Sequence, residues 1–198
     1  MQITLIRHGR PEYQLSGRVR ADELPSIAER YDASGIMGAP PTMTIDAIAG
    51  HDIVVCSHLK RSLESASALG INDVHLSDPL FAETMIPHFD RGSIALPAGF
   101  WVGLLRLLWL LGFAANGESL SKARYRAEQA AEKLMELATG ENHVVLVGHG
   151  LFNYFIAGAL LKKGWCGPRK PGTDYWEFGC YQPDAKRWAA RVVSGNSI

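Results

Sequence analysis

Three short motifs place arginine and histidine directly after apolar runs. Arg7-His8-Gly9 follows Ile3-Thr4-Leu5-Ile6, and Ser57-His58-Leu59-Lys60-Arg61 follows Ile53-Val54-Val55-Cys56. Gly148-His149-Gly150 follows Val144-Val145-Leu146-Val147. A fourth segment, Asp78-Pro79-Leu80-Phe81-Ala82-Glu83, follows the weaker run Val74-His75-Leu76 and carries a carboxylate. Guanidinium forks grip a dianionic phosphoryl group bidentately and neutralise its charge during transfer. A neutral imidazole can attack phosphorus to give a phosphohistidine, and a carboxylic acid can protonate the departing alkoxide. Two histidines, two arginines and one glutamate are therefore a set fit for phosphoryl chemistry, if the fold gathers them.

The runs that precede the motifs are four residues long and nearly all apolar, the pattern of strands buried on both faces of a parallel sheet. Helical stretches alternate with them at residues 59–69, 120–138 and 151–161, the second studded with charges on its outer side. This alternation predicts an α/β layered fold. In an open parallel sheet ligands bind beyond the carboxyl ends of the strands, so the three motifs and Glu83 are expected on one rim. Residues 175–181 and 187–193 read as two further strands joined by a turn at 182–185, an edge hairpin. Between residues 10 and 50 the chain is punctuated by Gly35, Gly38, Pro40, Pro41 and Gly50, which predicts no long helix there. No linker interrupts the sequence, so a single domain is expected over residues 1–198.

Leu5-Ile6-Arg7-His8-Gly9 resembles the signature of the histidine phosphatase superfamily, the phosphoglycerate-mutase-like proteins. Residues 57–66 resemble the second motif of that family, Gly148-His149-Gly150 the third, and Gly117-Glu118-Ser119 with Arg126 a further pattern. The resemblance implies a three-layer α/β sandwich with a mostly parallel central sheet and a small helical cap, inserted at about residues 84–116. It implies a phosphomonoester hydrolase acting on a small phosphorylated metabolite. His8 would be the nucleophile that becomes phosphorylated, Arg7, Arg61 and His149 would complete the phosphate pocket, and Glu83 would be the proton donor. No metal and no organic cofactor is implied, because the arginines supply the charge neutralisation that Mg²⁺ would otherwise give.

Several positions depart from the mutase pattern. Arg10-Pro11-Glu12 replaces small hydroxyl and asparagine residues, Gln14 stands where asparagine is common, and Ser65 stands for the usual threonine. Arg18 could lend another cation, and Glu12 is a rival acid to Glu83. These departures leave phosphate chemistry intact and weigh against phosphoglycerate as substrate. A phosphoglycerate-type mutase and a non-catalytic binder of phosphorylated ligands are the alternatives, the latter having no need of a nucleophile.

Twenty basic and twenty acidic residues cancel, which excludes nucleic acid as a partner, since polyanion affinity needs surplus cations. Cys56, Cys166 and Cys180 are too few for a disulfide framework and form no CxxC pair. With no signal-peptide pattern at the start, a cytoplasmic setting is expected. Of the seven histidines, His58 and His88 read as loop residues and His51, His75 and His143 as solvated strand flanks. None of them shows the helical spacing of a metal-binding pair. The apolar segment 94–115 approaches the length of a membrane span, but Arg106 lies in its middle and Pro97 near its front. A membrane span is therefore not expected. The segment reads as a buried lid helix, or else as an exposed apolar face for a homodimer or a membrane surface. As an exposed face it would also suit a bulky or apolar phosphate ester.

Overall fold

The computed structural model describes residues 1–89 and 91–185. In chain order the strands are β1 (Gln2–Arg7), β2 (Arg10–Pro11), β3 (Arg18–Arg20), β4 (Ile36–Met37), β5 (Ile53–Ser57), β6 (Leu76–Asp78), β7 (Ala95–Pro97), β8 (His143–Gly148), β9 (Trp165–Cys166) and β10 (Phe178–Pro183). The helices are α1 (Leu24–Asp32), α2 (Thr42–Ala47), α3 (Lys60–Ala68), α4 (Ala98–Leu110), α5 (Leu120–Leu137) and α6 (Gly150–Lys162). Six strands form the central sheet in the order β6-β5-β8-β1-β10-β9. β6, β5, β8 and β1 run parallel, while β10 and β9 extend the sheet antiparallel.

The uninterrupted apolar runs are explained by two separate cores. Ile3 and Leu5 of β1, Val55 of β5 and Val144 and Leu146 of β8 face one side, against the alanine-rich inner stripe of α5 and Phe152, Ile156 and Leu160 of α6. Ile6, Val54, Cys56, Val145 and Val147 face the other side, with Ala66 of α3, Ile48 and Trp176. Successive strand residues point to opposite faces, so a strand covered on both sides is apolar at nearly every position, Thr4 of β1 being a buried exception. Helices on both faces of the sheet give the three-layer arrangement expected from the sequence.

A third cluster joins Ala21, Leu24, Trp101 and Leu105, with Val19, Ile86, Phe89, Leu96, Leu104 and Leu108 packed around them. The apolar segment therefore folds back on residues 18–24, and β7 pairs antiparallel with β3. Helix α4 buries Ala98, Trp101, Leu105 and Trp109 and leaves Phe100, Leu107 and Leu110 more than half exposed. Lid packing and an exposed apolar face thus belong to the two sides of one helix. Among the described residues no helix is long and apolar enough to cross a membrane.

Elsewhere the sequence-based expectations need adjustment. The stretch 10–50 holds two short helices and, as expected, no long one, and Pro25 sits in the first turn of α1, where no backbone N–H is needed. The third strand lies at Leu76–Asp78, two residues later than the apolar run suggested, where it pairs with Val55 to Ser57. β10 runs through Gln182 and Pro183, the first half of the expected turn, and it is an interior strand between β1 and β9 rather than half of an edge hairpin. The expected partner strand at 187–193 lies outside the described residues. His143 is not simply solvated: it is half-buried, with Nε2 2.9 Å from the Thr4 hydroxyl.

Candidate active site

Parallel pairing of β1 with β8 places Arg7 opposite Gly148, so the first and third motifs leave the sheet side by side. The His8 N–H donates to Gly148 O at 3.0 Å, and the His8 and His149 rings meet edge to face with centroids 5.0 Å apart. Asn153 in α6 donates from Nδ2 to Ile6 O at 3.0 Å, holding the helix against the strand that delivers the first motif. Gly9 must lack a side chain, because a Cβ there would lie 2.3 Å from the Trp176 ring.

His8 is buried, and its Nδ1 donates to Gly9 O at 2.7 Å. A nitrogen facing a carbonyl must carry the proton, which leaves Nε2 with a free lone pair. Burial, reinforced by the charges of Arg61 and Arg7 and opposed by the Gly9 bond, pushes the His8 imidazole down to about 3. His149 is also held well below the ordinary histidine range, first by burial and then by His8, Arg61, Arg7 and Arg126. Both rings are therefore neutral at ordinary pH.

Arg61 stands in the first turn of α3 and is 1% exposed. Its Nη1 donates to Asp32 Oδ1 at 3.0 Å and to Tyr31 O at 3.2 Å, and the guanidinium lies 4.6 Å from the centre of the Tyr31 ring. Arg7 is held in the same manner, by Nη1 on Thr173 O and by the Tyr175 ring at 4.3 Å. In both arginines Nε is buried without a hydrogen-bond partner among the described residues, as is Nδ1 of His149. Asn153 Oδ1 is buried without a partner as well, and each unpaired buried polar group costs about 1–3 kcal/mol.

Glu83 is half-buried and follows a 3-10 turn at Pro79–Phe81 whose start is capped by Asp78. Its Oε1 accepts from the Thr84 N–H at 2.8 Å and from the Thr84 hydroxyl at 3.2 Å. The Tyr31 phenol, raised by burial, is lowered by Arg61 and Arg7 and raised further by Tyr175 and Glu83, so all four act on one ring. The structure thus brings Arg7, His8, Arg61 and His149 together and sets Glu83 on the same rim.

Arg18 spends its guanidinium on Ala95 O in the β3–β7 ribbon, Glu12 is exposed, and His58 is exposed ahead of α3. Among the described residues no cluster of three or more His, Cys, Asp or Glu side chains is placed to hold a metal ion. Sequence reasoning passed over Tyr31, Asp32, Asn153, Tyr175 and Trp176. Their partners lie far away in the chain, so no local spacing betrays them. Trp176 carries one backbone signal, a left-handed φ of 69°, rare for a bulky residue and held by bonds to Arg7 O and from Thr44 Oγ1.

A family model described as the histidine phosphatase superfamily (branch 1) matches residues 3–194. No curated protein matches the chain. Among solved structures, YhfR of Bacillus stearothermophilus superposes with a TM-score of 0.62 at 16% identity, covering 93% of this chain and 92% of that one. The mycobacterial glucosyl-3-phosphoglycerate phosphatase in complex with VO3 gives 0.55 at 20% identity, covering 89% and 98%. The phosphoserine phosphatase of Entamoeba histolytica gives 0.54 at 20% identity, covering 81% and 80%. At these identities the likeness is one of fold.

Proposed function

Because this chain belongs to the histidine phosphatase superfamily, we propose that it is a phosphomonoester hydrolase acting through a phosphohistidine on His8. One observation carries this reading: a neutral buried imidazole with a free Nε2 lies beside two arginines, each tethered through Nη1 and each keeping a buried, unpartnered Nε. The phosphoryl group of a small phosphorylated metabolite accepts from those arginines and from His149. The Nε2 lone pair forms the N–P bond as the ester P–O bond breaks, and the Glu83 carboxyl gives its proton to the departing oxygen. Water then attacks phosphorus, its proton passes to the Glu83 carboxylate, and the N–P bond opens to release phosphate. Residues 84–116 serve as the cap over this rim.

Release of phosphate from p-nitrophenyl phosphate, lost in His8→Ala, is the expected result. A wild-type chain without activity on any phosphate ester overturns the reading. Isomerisation of 3-phosphoglycerate without net phosphate release would assign the mutase reaction instead.

A further inference from the structure

Arg106 is the anomaly of helix α4, one cation in an otherwise apolar segment. A charge so placed is costly unless something holds it. Its Nη1 donates to the Thr84 hydroxyl at 2.8 Å, and the guanidinium lies 5.1 Å from the centre of the Trp109 ring. Thr84 is 3% exposed and next in sequence to Glu83. Burial lowers the Arg106 guanidinium from its ordinary value, and the nearby Glu83 charge opposes that.

A threonine hydroxyl has one proton. With Arg106 donating to Oγ1, that proton is free to point at Glu83 Oε1, 3.2 Å away. The Thr84 N–H also donates to Oε1, so both bonds fall on one oxygen of the carboxyl. Among the described residues Oε2 takes no such bond. We propose that Arg106, acting through the Thr84 hydroxyl, is a positioning residue that fixes Glu83 with Oε2 as the oxygen that gives up its proton. This rests on Glu83 being the proton donor. A charge-assisted chain ending on Oε1 also stabilises the carboxylate that remains once the proton has gone to the leaving group. The cap helix thereby acts in the chemical step as well as in covering the site.

The test is a leaving-group comparison on the full chain. Nitrophenolate departs without protonation, whereas phenolate needs a proton. Arg106→Met and Thr84→Val are expected to lower kcat/KM, which reports the step that expels the leaving group, on phenyl phosphate by about 10–100-fold and on p-nitrophenyl phosphate by less than about 3-fold, part of the roughly 10²–10⁴-fold that general acid catalysis contributes. Thr84→Ser keeps the hydroxyl and is expected to restore phenyl phosphate hydrolysis. Equal losses on both substrates, no loss on either, or no rescue by serine overturns the proposal. If Arg106→Met does not fold, Thr84→Val and Thr84→Ser carry the comparison. Glu83→Gln separates the two readings. If it shows the same selectivity while the Arg106 and Thr84 variants do not, only the positioning role fails. If it shows none, the proton-donor assignment fails too.

Discussion

The Ser65 hydroxyl accepts from the Gly9 N–H at 2.8 Å and, through its own proton, donates to Arg61 O at 2.5 Å. One buried side chain thus ties the residue after His8 to the turn of α3 that presents Arg61. Ser65→Ala would leave the Gly9 N–H buried and unpaired, at a cost of about 1–3 kcal/mol. The expected fall in melting temperature is about 2–4 °C per kcal/mol for a chain of this size, read by calorimetry. Ser65→Thr retains the oxygen and should lose much less.

Acid sensitivity follows from the two neutral histidines. The folded His8 value is about 3 against an ordinary 6.5, so between these the unfolded chain binds more protons than the folded one. The contribution of His8 to stability is complete above pH 6.5 and is lost as pH falls towards 3. His149 shifts in the same direction. Each contributes a slope of about 1.4 kcal/mol per pH unit within its window. Urea titrations at pH 7.5, 6 and 5 measure this, and His8→Asn should flatten the slope. Equal stability at all three values would contradict buried neutral imidazoles.

Inorganic phosphate should raise the melting temperature of the wild-type chain. Saturation at a hundred times Kd stabilises by about 2.7 kcal/mol. Arg61→Met, which removes one guanidinium and leaves the exposed Asp32 and the Tyr31 carbonyl without that donor, should abolish the shift. A shift that survives in Arg61→Met would place the anion elsewhere.

Arg126 grips Glu118 with two bonds, at 2.8 and 2.7 Å, and reaches Leu80 O and Ala82 O at 2.9 and 2.8 Å. Both charged side chains are mostly buried, so Arg126→Met strands Glu118 and should cost about 3–5 kcal/mol. Because Ala82 precedes Glu83, phosphatase activity should fall as well, which assays on folded protein below its melting temperature would show. Unchanged stability would mean that Glu118 finds another partner.

Much of this arrangement was legible in the sequence, and for identifiable reasons. β1, β5 and β8 declared themselves because burial on two faces leaves almost no polar position in the run, Thr4 being the exception. The strand-end motifs followed, since a parallel sheet fixes which end of each strand carries the ligand. β6 was misplaced by two residues because only three residues pair there. β10 is fixed by pairing with β1 and β9, partners far off in the chain. The tyrosines over the two arginines were invisible for the same reason. Arg106 was visible only as a misfit in an apolar segment, and its meaning awaited the Thr84 hydroxyl.

The position of β1 has a consequence for how the protein comes to be made. Of the strands described, β1, which leads into His8, is synthesised first, yet its neighbours are β8 and β10, with Ile3 opposite Val144 on one side and Tyr181 on the other. Domains fold as units during synthesis at about 5–20 residues per second, so β1 emerges with both apolar faces and both edges bare. It must wait until β8 and β10 have been translated. A nascent chain stopped before residue 143 carries two of the three motifs and no neighbour for the strand that holds the first. The sheet around the first motif is thus complete only once β10 has been made, and the newborn chain is most open to aggregation or chaperone capture before that point.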